Sequence, residues 1–405
     1  MPLFRKRLIY VPTFWGTLLL VVIFSFIGYL SLISAYKFLA PEKEPQSKIL
    51  VVEGWIDEIS VGNALKLYES RGYEYLIVTG VPITQWTFSS PFTNMADATA
   101  ESIRRMHFED TVYKVIVPSN ILRDRTYTSA VALKMKLDEW SLPYKDFDLY
   151  TVGAHAKRSY LVYRKAFRDD RYIGLIADTD SSYDPKKWYA TSRGFRIVLG
   201  ELISYFYALL FFHPDEVDYQ KLIIQGYYAD NVRDKRAEKN RLFSDSLNSP
   251  LNNKDIRGFR GLPYFEVDPD YKINAILKPD TVSAPFFMHT TTERKPRYRK
   301  FGDLYFELNH KPLRLEAYQN LDILEKNPNY KGLFVPFKDS TSNVQTYGGG
   351  RYLDLLIPAG DSVLIDFNLA YNPYCAYDDK WSCPLVPIVN YLPAAVRAGE
   401  KVYIK

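Results

Sequence analysis

The stretch DLYTVGAHAKRSYLVYRKAF, residues 148–167, decides the fold of the first half of this chain. An apolar strand over 148–152 runs into Gly153 and then into a helix. The first turns of that helix carry His155, Lys157, Arg158 and Ser159. The free N–H groups and the dipole of a helix N-terminus attract anions. The stretch therefore predicts a β-α unit with an anion site at the end of its strand.

The same unit is repeated along residues 48–177. Apolar runs of strand length alternate with segments of helical pattern. The strands are predicted over 48–52, 75–80, 113–118, 147–152 and 172–177, and the helices over 60–72, 94–106, 126–140 and 155–167. This alternation is typical of a parallel sheet with helices on both faces, which binds ligands at the carboxyl ends of its strands. We therefore predict a Rossmann-like α/β domain.

A long apolar segment precedes this domain. Residues 8–36 contain no charge, and the apolar run from Pro12 to Tyr36 is about 25 residues, or roughly 37 Å of helix, enough to cross a bilayer. Arg5, Lys6 and Arg7 precede it. The positive-inside rule then predicts a cytoplasmic N-terminus and an extracytoplasmic, periplasmic remainder. The length favours a single-pass signal-anchor in the cell membrane over a cleaved signal peptide.

A second apolar helix is predicted over 190–213. Glu201 interrupts it, and its uncharged run is too short to span a bilayer. We therefore expect this helix to pack on the sheet or to rest on the membrane surface.

The pattern changes after about residue 220. A charged helix over 228–246 precedes short alternating runs broken by Gly, Pro, Asn and Asp. These runs predict a mostly antiparallel β domain, so the chain divides into an anchor (1–40), an α/β domain (41–215) and a β-rich domain (216–405). The net charge of +5 forms no basic stripe, and we expect no nucleic-acid partner. We also expect no metal and no cofactor.

Polar side chains follow the strands of the predicted sheet. His155 is the candidate general acid or base, and Glu53 or Glu101 would orient it or activate water. Arginine recognises phosphate with two parallel hydrogen bonds. The candidate anion-binding residues are Gly54, Gly80, Arg123, Arg125, Thr126, Ser129, Lys157 and Arg158. In the alternative interpretation, the arginines only cap helices or pair with surface acids.

The β-rich domain carries a second candidate site near its end. Its members are Tyr347, Arg351, Asp366, Asn368, Tyr371, Asn372, Asn390 and Glu400. Alternatively, these groups only satisfy buried turns. Cys375 and Cys383 are the only two cysteines of the chain. An exported domain permits a disulfide between them, while free thiols and part of a metal site are the alternatives.

Four motifs of the first half resemble the SanA/ElyC/YdcF-like proteins (domain of unknown function 218). They are ILVVEGW (49–55), RDRTYTSAVALK (123–134), GAHAKRSYLVYRKAF (153–167) and KKWYATSRGFRIVLGE (186–201). The resemblance implies a Rossmann-like domain behind one membrane anchor, linked to envelope integrity and to the polyprenyl carrier of cell-wall precursors. Glu53 departs from the glycine-rich turn usual after the first strand.

The second half is very similar to domain of unknown function 1684, from about residue 225 to the end. The motifs include YGGGRYLDL (347–355) and DFNLAYNPYCAYDDKWSCPL (366–385). Together the resemblances imply a membrane protein of envelope biogenesis that acts on or binds a phosphorylated, lipid-linked intermediate. A non-catalytic binding or sensor protein for glycan, lipid or a protein partner is the alternative. A cytoplasmic dinucleotide enzyme is disfavoured because the G-x-G-x-x-G motif is absent.

Overall fold

The computed structural model describes residues 11–83, 92–168 and 171–404. Arg5, Lys6 and Arg7, which carry the predicted membrane orientation, lie outside these ranges. The chain divides into two compact units, Met1–Gly226 and Tyr227–Lys405.

The helices are α1 Phe14–Leu39, α2 Glu58–Arg71, α3 Met95–Arg105, α4 Arg125–Trp140, α5 Ala156–Ala166, α6 Ser192–Leu210, α7 Glu216–Ser244, α8 Asn253–Gly258 and α9 Leu321–Lys326. The strands are β1 Ile49–Glu53, β2 Tyr75–Gly80, β3 Val112–Ile116, β4 Phe147–Val152, β5 Ile173–Asp178, β6 Lys272–Pro279, β7 Phe286–Phe287, β8 Arg297–Leu308, β9 Lys311–Asn320, β10 Gly332–Asp339, β11 Arg351–Leu356, β12 Ser362–Asp366 and β13 Tyr391–Leu392.

A five-stranded parallel sheet forms the centre of the first unit, which confirms the Rossmann-like prediction. Its strand order is β3-β2-β1-β4-β5. Every residue of β1 is buried because helices cover both faces of the sheet. Along the chain, β2 and β3 are added on one side of β1, and β4 and β5 are then added on its other side. Open α/β sheets bind ligands at this switch point, outside the carboxyl ends of the two strands.

The helices that follow the strands begin in two different ways. The Asp57 side chain accepts the Ser60 N–H at the start of α2, and the Asn94 side chain accepts the Ala96 N–H at the start of α3. At the start of α4, Asp124 makes no such hydrogen bond. The 3₁₀ turn Gly153–His155 that opens α5 also lacks a side-chain cap. No side chain therefore caps these two starts, although the Ala156 N–H at the α5 start donates to Gly153 O.

Helix α1 is long and apolar enough to cross a membrane, judged by length and composition. Most of its side chains are exposed, but Ala35 and Leu39 near its end are buried against a cluster that includes Ala154, Trp188 and Val198. The last turns of α1 therefore belong to the hydrophobic core of the first unit.

The segment after α1 is bound to the edge of the sheet. Lys43 and Leu175 of β5 exchange two backbone hydrogen bonds of 3.0 Å. The buried Asp148 carboxylate accepts the N–H groups of Gln46 (3.1 Å) and Ser47 (3.0 Å) and the hydroxyl of Tyr73 (2.9 Å). The connection between α1 and β1 is thus held at several points rather than left free.

The second unit is built on an antiparallel sheet of half-barrel form, as the alternating runs predict. The strand order is β11-β10-β9-β8-β6-β12, with β7 paired to β8 and β13 paired to β10. Leu304, Leu315, Val335, Leu353 and Ile365 lie in its core. Helix α7 begins at Glu216, well before the predicted start at residue 228, because its first turns carry no breaking residue.

Candidate functional site

A cavity of about 1070 Å³ opens at the carboxyl edge of the parallel sheet. The ends of β1, β2 and β4, the first turns of α4 and α5, and one side of α6 contribute to its wall. The wall includes Glu53 at the end of β1 and His155 after β4. The cavity therefore lies at the switch point of the sheet, where ligand binding is expected.

His155 is held by a carboxylate and a guanidinium. Its Nδ1 lies 2.9 Å from Glu201 Oε1 and 2.8 Å from Arg158 Nη2. Arg158 donates from Nε to Glu201 Oε2 at 2.7 Å and from Nη2 to Oε1 at 3.0 Å. This fork-to-fork contact fixes Arg158, and both side chains fix the plane of the imidazole.

Glu201 is not among the site residues predicted from the sequence. The sequence pattern shows it only as a charge that interrupts an apolar helix. A lone carboxylate on such a helix is costly to bury unless a cation meets it. A single carboxylate on an apolar helix therefore predicts a basic partner, but the sequence does not identify that partner. Here, burial opposes ionisation of Glu201, but hydrogen bonds from His155 and Arg158 outweigh it and lower the pKa of Glu201 to about 2.

We expect Glu201→Gln to lower the free energy of unfolding at pH 7 by about 2–3 kcal/mol, since the folded pKa of about 2 lies below the unfolded value of 4.5. The carboxylate then stabilises the fold fully above pH 4.5 and loses its effect as the pH falls toward 2. Chemical denaturation of the full chain at pH 7 and pH 3 measures the difference, which should shrink at pH 3. The control Glu69→Gln, on the exposed side of α2, should change little. An equal difference at both pH values would contradict the assigned ion cluster.

Glu53 is an immobilised carboxylate beneath His155. It is 3% exposed and accepts hydrogen bonds from Thr151 (2.5 Å), Ser159 (2.9 Å) and the indole of Trp55 (3.2 Å). His155 Nε2 lies 3.8 Å from Glu53 Oε2 and has no hydrogen-bond partner within the described ranges. Nε2, itself buried, is therefore the ring nitrogen that lacks a hydrogen-bond partner among the described residues.

Unpaired donors lie on the α4 side of the cavity. Arg125, Thr126 and Ser129 line it, as does Arg193 of α6. Neither arginine forms an ion pair with another residue that the structure describes. Tyr127 is 1% exposed, and its hydroxyl on the cavity wall lacks a partner among the described residues. Burial raises the pKa of Tyr127 to about 12, so the hydroxyl remains a donor at neutral pH.

Other carboxylates of the wall are already engaged. Asp57 caps α2, and the backbone N–H of Ser60 is the main cause of its lowered pKa. Asp124 accepts the Tyr219 hydroxyl at 2.5 Å, and Asp180 accepts from Ser182. These donors are uncharged, so the three carboxylates keep their charge, and the wall carries more carboxylates than guanidinium groups.

Four predicted site residues do not line the cavity: Gly54, Glu101, Arg123 and Lys157. Glu101 pairs with Arg104 and Arg105 on the surface of α3. The Arg123 guanidinium lies over the Tyr219 ring, 5.7 Å from its centroid. The Lys157 ammonium lies 3.4 Å from the centroid of Phe38, and burial lowers its pKa. The structure thus gives these three side chains other partners.

The two predicted glycines allow close packing of backbone. The Gly54 N–H donates to Thr79 O at 2.7 Å, and a Cβ at Gly54 would lie 2.6 Å from that oxygen. A Cβ at Gly80 would lie 2.0 Å from Ala96 N at the start of α3. Both positions require glycine for the approach of neighbouring chain segments. Gly80 also lines the cavity, whereas Gly54 does not.

In the second unit, Arg351 connects a strand to the C-terminal segment. Its Nη2 donates to Asp339 Oδ2 and Val396 O, both at 2.8 Å, and its Nη1 donates to Ala398 O. Arg351 and Asp339 are each 1% exposed. Burial lowers the pKa of Arg351, although Asp339 opposes this.

The other predicted residues of the second unit also tie loops together. Five of them bond backbone groups of other segments or of their own turn: Asp366, Asn368, Asn372, Asn390 and Glu400. Tyr371 donates to Asp354 at 2.6 Å. These contacts favour the interpretation in which the polar groups satisfy buried turns.

The two cysteines are buried neighbours. Both are free thiols, and Cys383 Sγ accepts the Cys375 N–H at 3.1 Å. Their mutual hydrogen bond lowers the pKa of Cys383 to about 7 and raises that of Cys375. The Tyr347 hydroxyl lies 3.8 Å from Cys375 Sγ. A disulfide therefore remains a prediction for oxidising conditions.

Comparison with known proteins identifies the second half. Residues 257–401 match the family model "Protein of unknown function (DUF1684)". The solution NMR structure of an uncharacterized protein from gene locus rrnAC0354 of Haloarcula marismortui is 36% identical; the match covers 43% of this chain and 94% of that chain, with a TM-score of 0.35. A comparison with curated proteins gives no match. Residues 257–401 therefore belong to the DUF1684 family.

Proposed function

We propose that the first unit binds a phosphorylated intermediate of envelope biogenesis, and that α1 anchors it as a single-pass protein with its domains outside the cytoplasm. One observation carries the proposal: the cavity at the switch point has unpaired donors. Arg125, Arg193 and the Tyr127 hydroxyl line one cavity together with the uncapped start of α4. The resemblance to the SanA/ElyC/YdcF-like proteins supports the envelope role and a polyprenyl-linked ligand.

A phosphate group meets the needs of these donors. Arginine binds phosphate oxygens with two parallel hydrogen bonds, and the N–H groups at a helix start add fixed dipoles. Apolar and aromatic side chains complete the wall, among them Ile197, Ala208, Phe212 and Trp55. The cavity therefore suits a ligand that combines a phosphate with apolar or aromatic groups.

His155 gives the cavity a group for chemistry as well as for binding. In hydrolysis of a phosphate ester, water oxygen bonds to phosphorus while the bond to the leaving oxygen breaks. His155 Nε2 would remove the proton from that water or supply one to the leaving oxygen. Glu201 and Arg158 would hold the ring in place. A non-catalytic binding protein would bind the same ligands without turnover, so turnover separates the two candidates.

We expect Arg125→Ala to weaken binding of a phosphorylated ligand by about 10–100-fold, because a charge-assisted hydrogen-bond pair to phosphate is lost. The measurement is the ligand-induced thermal shift of the full chain in detergent with polyprenyl mono- and diphosphates, nucleotides and muropeptides. Arg123→Ala is the matched control, since Arg123 lies against Tyr219 outside the cavity wall. Equal shifts in both variants, or no shift of the wild type with any phosphate compound, would refute the proposed site.

A further inference from the structure

We propose that one face of α6 lies in the membrane surface, as a second contact with lipid beside α1. The face, called the apolar stripe below, consists of Phe195, Leu199, Ile203, Phe206 and Leu210. This inference rests on the proposed membrane anchoring and adds to it the surface by which the soluble part meets the bilayer.

The spacing of the apolar stripe places its residues on one side of the helix. Successive members are four, four, three and four positions apart, which is the period of an α-helical face. Ile203 is 71% exposed and Leu210 is 58% exposed, and Phe195 and Phe206 are also exposed, whereas Leu199 is partly buried against the cluster that contains the buried Val198. A contiguous exposed patch of large apolar side chains marks an interaction surface.

The contacts with α1 identify lipid as the occupant. Phe38 of α1 stacks on Phe206 of the stripe, with ring centroids 6.5 Å apart, and packs edge-on against Tyr205 at 5.5 Å. The part of α1 before these contacts is apolar and exposed, from Phe14 to Ile33. The apolar stripe thus continues the surface of a helix that itself requires a lipid environment.

The length of α1 sets the level of α6 in the membrane. Its 26 residues make about 39 Å of helix, whereas the hydrocarbon core is about 30 Å thick and takes about 20 residues. The remaining turns, which include Leu39 and Phe38, extend to the headgroup level, and these are the turns that pack on α6. Arg196 flanks the stripe, and a cation beside an apolar face is typical of helices that lie in the interface.

The same helix supplies both the membrane contact and a wall of the cavity. Ser204 and Ala208 line the cavity, while the adjacent Ile203 and Leu210 belong to the apolar stripe. A ligand held in the cavity would consequently lie one helix away from the lipid phase.

Site-directed fluorescence quenching tests the inference on the full chain in vesicles of phosphatidylethanolamine and phosphatidylglycerol. A bimane label is placed at Ile203→Cys and, independently, at Leu210→Cys, in a chain whose own thiols are removed by Cys375→Ser and Cys383→Ser. Quenchers are doxyl-labelled lipid and aqueous iodide. Phe24→Cys on α1 is the lipid-exposed control, and Ser70→Cys at the end of α2 is the aqueous control. We expect labels at 203 and 210 to be quenched by doxyl lipid and to be several-fold less accessible to iodide than the label at 70.

The other outcomes each overturn the inference in a distinguishable way. Labels at 203 and 210 that behave like the label at 70, while the label at 24 is quenched by lipid, would leave the anchor in place and place α6 in water. Protection of 203 and 210 from both quenchers would mean that protein covers the stripe. A label at 24 that lipid does not quench would contradict the proposed anchoring itself.

Discussion

Replacing Arg351 with methionine is expected to lower the free energy of unfolding of the second unit by about 3–5 kcal/mol. Methionine fills much of the space of the arginine stem but leaves the Asp339 carboxylate, 1% exposed, without its counter-ion. The carbonyl oxygens of Val396 and Ala398 also lose their donors. Denaturant-dependent hydrogen exchange of peptides from 332–356, measured in the full chain, reports the loss within this unit.

A matched control and a second variant separate the loss of an ion pair in general from the effect of leaving the buried Asp339 carboxylate unpaired. Arg314→Met removes an arginine that also pairs with carboxylates, but its side chain is 41% exposed, so we expect a loss of at most about 1 kcal/mol. Arg351→Met combined with Asp339→Leu removes the stranded charge and should recover part of the loss. Unchanged exchange in Arg351→Met would contradict the structural role and would return Arg351 to the candidate ligand-binding residues.

Replacing His155 with glutamine is expected to reduce turnover of a phosphorylated ligand by about 10²–10⁴-fold, the usual contribution of a positioned acid or base. Glutamine still offers a polar group to Glu201 and Arg158 but cannot take up and release a proton at neutral pH. Binding should change much less than turnover, because Arg125 and Arg193 line the wall separately from the ring. Single-turnover kinetics with the ligand chosen by thermal shift measure the effect.

The control for this variant is His213→Gln, which alters an exposed histidine beyond the end of α6. A further readout is the pH profile of turnover, since loss of the titrating group should remove one limb of the wild-type curve. Full turnover in His155→Gln would refute the proposed role. Binding by the wild type without turnover of any phosphorylated ligand would favour the non-catalytic binding protein.

The bounds of the strands in the first unit could be predicted closely, because parallel strands buried on both faces have uninterrupted apolar sequences. The predicted strand over 75–80 is β2, and the strand over 147–152 is β4. The strand ends also indicated where Glu53, His155 and Arg125 meet, because parallel strands bring their carboxyl ends to one edge. These three residues line the cavity.

The direction of single side chains could not be predicted in the same way. Lys157 and Arg158 are adjacent in sequence, and we assigned both to one anion site. Successive helical positions point about 100° apart, so Arg158 meets Glu201 while Lys157 lies against Phe38. The partner of His155 comes from α6, more than forty positions along the chain, and no local pattern encodes that contact.

In the second unit, the sequence does not show whether a polar side chain binds a ligand or only the backbone of a neighbouring loop. Asn368 and Asn390 looked like ligand-binding residues because they are uncharged hydrogen-bonding side chains near turns. In the structure both are 1% exposed or less and bond backbone groups. A sequence does not show whether a buried amide faces a ligand or a loop, since either partner satisfies the same donor and acceptor.

The attachment of residues 43–47 to the sheet, described above, has a consequence for the proposed anchoring. A free tether would let the α/β unit sample a volume around an anchor, and its reach would grow with tether length. Here the pairing of Lys43 with Leu175 and the hydrogen bond from Ser47 N–H to Asp148 fix the connection to the sheet. If α1 anchors the protein as proposed, its encounters with the proposed lipid-linked ligand would therefore take place in two dimensions, with the cavity held close to the membrane.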